Sequence, residues 1–210
     1  MTTYEHAMLG LNGAIAFGLH RTYGWKVVAL AAAAAVLPDW DGLPMLIDMA
    51  AYERGHRVWG HNLLACAIGA FGLGTLDYRY DLSGRAARQL TRLGPLQELR
   101  EYATLREQWT LPEWAVWVLV AWIAGLTQIP ADAFVSGGEG LSDWALKPLW
   151  PISSWEFVYP LVPWGNVGVT ILFAIGMLAM VRWKQHLQGI ACLTLAMVAV
   201  YLAAWGGLVA

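Results

Sequence analysis

Charged residues are scarce in this chain. Only 13% of its 210 residues are Asp, Glu, Lys or Arg, whereas soluble domains average about 25%. Hydrophobic residues make up 58% of the sequence, and 13 residues are tryptophan. This composition argues against a soluble domain and predicts an integral membrane protein. The net charge of −2 also argues against a globally basic nucleic-acid-binding protein, and no nucleic-acid partner is expected.

Cysteines, targeting signals and nucleotide-binding motifs are also rare or missing. The two cysteines, Cys66 and Cys192, fall in apolar runs, so we expect packing residues and not a disulfide or thiolate metal site. The opening MTTYEH lacks a positive segment and has Thr2 after the Met, so neither a cleaved signal peptide nor myristoylation is expected. The sequence has no G-x-S-x-G elbow, P-loop or dinucleotide fingerprint, which leaves serine hydrolases, kinases and Rossmann enzymes without support.

What the sequence does have is a series of apolar segments. Six can be drawn: approximately 7–19, 25–37, 62–76, 114–129, 167–181 and 187–209. Only the last comfortably reaches the roughly 20 residues of a spanning helix, so the shorter ones are expected to end inside the bundle, below the headgroups. Gly10, Ala14 and Gly18 recur at four-residue spacing and predict close helix packing. The fold prediction is an all-α, polytopic membrane helical bundle of about four to six membrane-embedded helices, in one domain spanning residues 1–210.

The basic residues predict the orientation of this bundle. If successive segments alternate in direction, ten of the 13 Lys and Arg residues fall on one side. They are Arg21, Lys26, Arg79, Arg85, Arg88, Arg92, Arg100, Arg106, Arg182 and Lys184. Arg54, Arg57 and Lys147 fall on the other side. The positive-inside rule makes the basic side cytoplasmic, so both termini are expected to face outward from the inner membrane.

Two connecting segments stand apart from the apolar ones. Residues 77–113 are polar, and arginines at helical spacing predict a cytoplasmic amphipathic helix that lies on the inner leaflet or, alternatively, binds a partner. Residues 133–165 are rich in Trp and Pro, which predicts an irregular outward-facing loop. Its role is either that of a lid that contacts substrate or that of an interfacial anchor.

Potential metal ligands gather on the predicted outward side. Six of them lie at or near the ends of apolar segments: His6, Asp39, Asp41, His56, His61 and Asp132. His20 and His186 fall on the opposite side without comparable neighbours. Because independent segments would not be expected to place so many ligand types on one face by chance, this coincidence predicts a site.

Three short motifs supply most of these residues. After Pro38, an extended stretch would aim Asp39 and Asp41 at one point, although both could instead cap a turn. In GHRVWGH, His56 and His61 are five apart and on different faces of a regular helix, so Gly55 and Gly60 are expected to bend the chain and bring them together. The alternative is a plain interfacial pair of histidines.

The third motif is QIPAD, at the end of the fourth apolar segment. Gln128 and Asp132 are four apart and should share a helical face, where Asp132 either completes a coordination sphere or acts as a cap. The Ser136-Gly137-Gly138 turn that follows could let the backbone approach a ligand.

Mixed imidazole and carboxylate ligands suit a divalent metal. Zinc is the first expectation, manganese or iron the alternatives, with one or two ions. The expected chemistry is hydrolysis by a metal-activated water, with Asp41 and Arg57 as the candidate catalytic residues. Arg57 would neutralise an anionic oxygen such as that of a phosphate, or else simply snorkel to the interface.

The order of these motifs resembles a known bacterial family. An early His6, LPDWD at 37–41, HRVWGH at 56–61, and Asp132 followed by Gly-Gly and LWPIS resemble the inner-membrane, inferred metal-dependent hydrolases whose founding member is under LexA control. The resemblance runs from His6 to about Ser153 and is shared more distantly with zinc-dependent phospholipase C proteins. It implies that the six ligand candidates hold the metal and that the substrate is a phosphodiester or phospholipid. One departure is Gln128, where such proteins often have His, so one coordination position is lost or filled by water.

The leading hypothesis is therefore a membrane-embedded, metal-dependent hydrolase that acts on a phosphoester or other ester of a lipid or lipid-linked substrate. The alternative is a non-enzymatic metal-binding membrane protein, such as a transporter or assembly factor. A transporter should carry ionisable groups through the membrane, and the interiors of these segments are nearly free of them.

Overall fold

The computed structural model describes residues 1–90, 92, 108–138 and 144–209, and the described part is an all-α bundle. The α-helices are α1 Thr3–Ala16, α2 Leu19–Thr22, α3 Trp25–Val36, α4 Met49–Gly55, α5 Leu63–Tyr80, α6 Leu82–Leu90, α7 Leu111–Leu126, α8 Gln128–Phe134, α9 Val167–Arg182 and α10 Leu187–Val209. Two 3-10 helices, Leu37–Leu46 and Lys184–His186, follow α3 and precede α10.

All six predicted apolar segments form helices: α1, α3, α5, α7, α9 and α10. The lengths differ from prediction, however, because two of the segments continue beyond their expected ends. Three stretches of the described residues are long and apolar enough to cross a membrane, namely Trp25–Leu46, Leu111–Phe134 and Lys184–Leu208, with α9 as a shorter apolar helix. The expectation that only the last segment reaches spanning length was wrong, because 3-10 turns extend α3 and α8 extends α7.

The helices pack in a sequence that the small residues permit. Helix α3 lies between α1 and α7, α5 packs on α7, and α10 packs on α1 and α9. Ala31, Ala34 and Ala35 of α3 are buried in the main apolar core. A side chain at Gly10 would strike the backbone carbonyl of Ala31 at 2.4 Å, so α1 and α3 approach as closely as glycine allows. Gly18 departs from the predicted stripe, since it lies beyond α1 and adopts a left-handed conformation before α2.

Helix direction sorts the polar groups to two ends of the bundle. At one end, the start of α1 meets α8 and the loop after it, where the Trp164 indole donates to the Met1 carbonyl. It also meets the start of α9, where Thr170 donates to Glu5 at 2.7 Å. At the other end, Lys26 pairs with Asp81 at 2.8 Å and His20 packs beside Trp25. Described residues of the predicted basic side also lie at this second end, with Arg79 and Arg182 in the last turns of α5 and α9 and Arg85 in α6.

The two connecting segments are described only in part. Helix α6 carries Arg85 and Arg88 as predicted, while the rest of the predicted amphipathic helix, at 91 and 93–107, lies outside the described residues. The predicted Trp/Pro-rich loop is irregular beyond α8 where it is described, with isolated bridges joining Val135 to Val162 and Leu146 to Phe157. Residues 139–143 of this loop also lie outside the described part.

Candidate metal centre

His61 is the residue at which the polar cluster converges. It precedes α5 and is fully buried. Its Nδ1 lies 2.9 Å from Oδ2 of Asp41, and its Nε2 lies 3.1 Å from Oδ2 of Asp132 and 3.5 Å from Oδ1 of Asp39. One imidazole therefore connects three carboxylates that come from two different helical stretches.

Asp39 and Asp41 approach His61 from opposite sides. The sequence predicted an extended stretch in which both carboxylates point the same way, and this prediction was wrong. Pro38 does end the α-helix, but the chain continues as a 3-10 helix, in which residues two apart diverge because each turn takes about 3 residues. Asp41 consequently faces Nδ1 of His61 and also accepts from the Gly60 amide at 2.8 Å. Asp39 faces Nε2 and accepts from the Thr3 hydroxyl at 3.1 Å.

Asp132 is the second junction of the cluster. It lies on α8 and is 2% exposed. Its Oδ1 lies 3.2 Å from Nε2 of His6 and 3.3 Å from the Arg57 guanidinium, and it also accepts from the Met1 amino group. The Met1 amino group and the Arg57 guanidinium, which both donate to this buried carboxylate, offset the cost of removing its charge from water.

His6 brings α1 into the site. Its ring is fully buried, yet neither ring nitrogen makes a hydrogen bond of good geometry with the described residues. Buried polar atoms normally have a partner, and an orphan at such a place is a mark of an ion or water site. Ligand atoms of His6, Asp39 and Asp132 lie within 4.8 Å of one another, close enough for one cation to contact all three.

Gln128 shares the α8 face with Asp132, as predicted. Its amide nitrogen donates to Oδ1 of Asp39 and lies 3.1 Å from Nε2 of His61. Its Oε1 is buried without a hydrogen-bond partner among the described residues. Gln128 therefore contacts the cluster through its amide nitrogen, which donates hydrogen bonds, while its amide oxygen is the atom that could serve a hard cation. Sequence reasoning had treated this residue chiefly as a lost ligand.

The GHRVWGH loop brings its two histidines together, as predicted, but by a different geometry. The ring centroids of His56 and His61 are 5.9 Å apart, and Nδ1 of His56 lies 3.3 Å from Oδ1 of Asp41. The left-handed turn is made at Arg57, with φ of 59°. Gly60 is required for space instead, because a Cβ there would lie 1.9 Å from the Pro38 carbonyl oxygen.

Arg57 lies at the site but is not free to reach outward. It is 2% exposed, and its guanidinium donates to Ser136 Oγ at 2.6 Å and to the Asp132 carbonyl at 3.1 Å. The Trp144 ring lies 5.5 Å from it. Arg57 thus ties the irregular loop to Asp132. The sequence contained a signal for one partner, since the Ser136-Gly137-Gly138 turn had been singled out, but it gave none for Thr3 or for the Met1 amino group.

The carboxylates around His61 affect the pKa of its imidazole. Burial alone would lower the pKa of the imidazole, but hydrogen bonds to Asp132, Asp39 and Asp41 raise the pKa of His61 well above its usual value. A cation at Nε2 therefore has to compete with a proton, as it does for any imidazole ligand.

The structure places all six predicted ligand residues, together with Arg57, at one end of the bundle. Three supply the compact ligand group (His6, Asp39 and Asp132), His61 contacts two of those three, and Asp41 and His56 lie behind His61. His20 lies at the other end beside Trp25, as predicted. The arrangement can hold one divalent cation among nitrogen and oxygen donors, with carboxylates orienting the imidazole.

Comparison with known proteins identifies the family. No curated protein and no solved structure matches the chain. The family model described as YdjM inner membrane protein matches residues 1–208, nearly the full length. That coverage agrees with the three candidate spans and establishes an inner-membrane location. The chain belongs to the YdjM inner membrane protein family.

Proposed function

We propose that this protein is a membrane-embedded, metal-dependent hydrolase that acts on a phosphoester or other ester of a lipid or lipid-linked substrate. One observation carries the proposal: ligand atoms of His6, Asp39 and Asp132 gather within 4.8 Å at the end of an apolar bundle. An enzyme for soluble substrates does not need its site at the end of an apolar bundle, whereas an enzyme whose substrate stays in the bilayer does.

The donor set fits a divalent cation. His6 has two buried nitrogens without good hydrogen bonds, and Gln128 has a buried oxygen in the same condition. Imidazole and carboxylate ligands without thiolate suit zinc, manganese or iron. When bound, such an ion supplies Lewis acidity and lowers the pKa of water, which is the chemistry that metallohydrolases use to cleave esters.

The chain's own residues have distinct parts in this proposal. His6, Asp39, Asp132 and Nε2 of His61 would hold the cation. Asp41 fixes the orientation of His61 through Nδ1, in the manner of carboxylate–histidine pairs at metal sites. Arg57 positions Asp132 and the loop, and its charge offsets part of the excess carboxylate charge. In this arrangement Asp41 and Arg57 act through other residues, although the sequence proposed both as catalytic.

The orientation of the site is also proposed. Ten of the 13 basic residues belong to the opposite side of the topology, and basic residues favour the cytoplasmic side. The cluster would then open at the outer face of the inner membrane, toward the periplasm or exterior. Access would be through Asp39, which is 23% exposed and lies beside fully buried partners.

Hydrolysis assays on purified protein test the proposal. The chain would be reconstituted with zinc, manganese or iron and offered phospholipids, lipid-linked phosphates and lipid esters. We expect turnover of at least one of these substrate classes by the wild type. Asp39→Ala should lose this turnover, and adding zinc, manganese or iron should not restore it. Metal binding without turnover of any class would contradict the hydrolase and favour the non-enzymatic metal-binding protein, a transporter or assembly factor.

A further inference from the structure

An apolar cavity of about 380 Å³ lies beside the His/Asp cluster, between α3, α5 and α7. Its volume falls within the roughly 300–1,000 Å³ of typical small-molecule sites. Its wall is almost wholly apolar and includes Ala34 of α3, Ala121 of α7 and the face of α5 from Leu64 to Ala70. That face spans about 9 Å along the helix axis at 1.5 Å per residue. The cavity is therefore elongated along α5, and we call it the slot.

The slot is next to the polar cluster in the chain and in space. Pro38 and Gly60 line it, and the residues that follow them are Asp39 and His61. The thiol of Cys66, which also lines the slot, donates at 3.8 Å to the carbonyls of Gly60 and Gly125. These backbone segments form the partition between an apolar space and the metal ligands.

The slot also opens at an exposed apolar face of the bundle. Leu64 and Ile68 line it and are 49% and 65% exposed. They continue the exposed apolar surface of α5, to which Leu63 and Phe71 belong. The cavity is therefore continuous with an exposed apolar surface, and where that surface meets the bilayer, hydrocarbon can enter the cavity sideways without crossing water.

Three tryptophans mark the end of the slot that is near the cluster: Trp40, Trp59 and Trp150. Trp40 and Trp150 are 47% and 38% exposed. Tryptophan favours the level of the lipid headgroups, where its ring is apolar and its N–H is wet. This position is the one expected if the end of the slot near the cluster lies at headgroup depth and its interior extends toward the hydrocarbon.

We infer that this slot binds one hydrocarbon chain of a membrane lipid, so that the lipid headgroup lies at the His/Asp cluster. The part that concerns the headgroup rests on the proposed function, whereas binding of the chain rests on the slot alone. A lipid held this way would present an ester near the ligand residues without leaving the bilayer.

Photo-cross-linking tests the inference. The full chain would be reconstituted in phosphatidylethanolamine vesicles that contain phosphatidylglycerol with a photoreactive group in one acyl chain. We expect cross-links concentrated on residues 64–70 of α5 and 121–125 of α7. Ala65→Phe, which fills the slot, should reduce these cross-links several-fold. The matched control is Ala67→Phe, because Ala67 is exposed on the same helix and does not line the slot.

Three further comparisons make the test decisive. If Ala65→Phe fails to fold, Leu64→Trp at the exposed opening of the slot on α5 should reduce the same cross-links. Asp39→Ala should keep them, because chain binding does not depend on a metal, so a failed hydrolase leaves the slot testable. Cross-links spread evenly over lipid-facing helices, with no difference between Ala65→Phe and Ala67→Phe, would overturn the inference. Cross-linked dimers through α5 in place of lipid adducts would also overturn it, in favour of a second copy of the chain.

Discussion

The ring nitrogens of His61 have different partners, and this difference separates two roles among the aspartates. Asp41 is fully buried and contacts Nδ1, while Asp132 and the partly exposed Asp39 contact Nε2. A carboxylate behind one nitrogen fixes the tautomer and leaves the other nitrogen for a ligand. The two aspartates of the DWD motif face different nitrogens of His61, so under the proposed function they have separate tasks and do not form a single two-carboxylate clamp.

Replacing Asp41 should weaken metal binding without removing a ligand. In Asp41→Asn, an amide oxygen at the Oδ2 position still accepts from the Gly60 N–H and from His61. The negative charge behind the imidazole is lost, however, and an NH2 group replaces the oxygen that faces Nδ1 of His56. We expect metal affinity to fall by about 10–100-fold, the usual effect of losing such an orienting partner. Competition with a chromogenic chelator measures this. Asp48→Asn is the control, since Asp48 is exposed and caps α4, a role that Asn also fills. Equal affinity in Asp41→Asn and the wild type would contradict the positioning role.

The residues of the site could be found from the sequence, but their geometry could not. His6, Asp39, His61 and Asp132 were identified because ligand types recur at one set of segment ends. Whether the chain after Pro38 is extended or 3-10 depends on contacts with Gly60 and His61, which lie about twenty residues further along the sequence. The same is true of Gln128, whose environment is made by Asp39 and His61 and not by its neighbours.

At the scale of elements, the position of His6 depends on how closely α1 approaches α3. Gly10 lies one turn beyond His6 on α1 and packs on the backbone of Ala31. This contact fixes α1 against α3, and α3 leads directly into the 3-10 helix that carries Asp39. The spacing of Gly10 and Ala14 predicted close packing, and both residues are buried. Which helix they pack against was not predictable, since small residues specify proximity and not a partner.

Adding one methyl group at Gly10 should loosen this pair of helices. In Gly10→Ala the Cβ would lie 2.4 Å from the Ala31 carbonyl oxygen and 2.8 Å from Ala35 Cβ, so α1 must move outward. Overpacking of this kind costs about 1–3 kcal/mol. We expect a lower melting temperature in detergent and weaker metal binding, because His6 moves with α1.

Gly13 provides the matched control on the same helix. A Cβ at Gly13 meets no atom within 4 Å, so Gly13→Ala should be neutral or stabilising by up to about 1 kcal/mol from helix propensity. If Gly10→Ala melts no lower than Gly13→Ala, the close packing of α1 on α3 does not hold the site.

At the scale of the whole molecule, the two ends of the bundle differ in chemistry. One end carries the His/Asp cluster, Arg57 and the tryptophan-rich loop. The other carries Lys26, Asp81 and the basic helix α6. Alternation of the six apolar segments predicted this division from the sequence, because each crossing reverses the chain. The side of the membrane that each end faces follows from the distribution of basic residues and is open to direct labelling.

Labelling of one exposed cysteine at a time tests the orientation of the bundle in the membrane. In a Cys192→Ser background, Ser154→Cys lies in the irregular loop and Gln185→Cys in the turn before α10, and both positions are exposed. We expect a membrane-impermeant maleimide to label Ser154→Cys in cells whose outer membrane is permeabilised, and Gln185→Cys only after the inner membrane is opened. The reverse pattern would place the cluster on the cytoplasmic side. Cys66 is buried, so it should remain unreactive in both variants.

Metal content is the most direct test of the central claim, that the buried His/Asp cluster is a metal site. Elemental analysis would be made on detergent-purified wild type, Asp39→Ala and His61→Ala, with His186→Ala as a control for an exposed histidine at the opposite end. The account predicts stoichiometric zinc, manganese or iron in the wild type and His186→Ala, and its loss in the two cluster variants. A wild-type protein without stoichiometric metal, or cluster variants that retain it, would contradict the account.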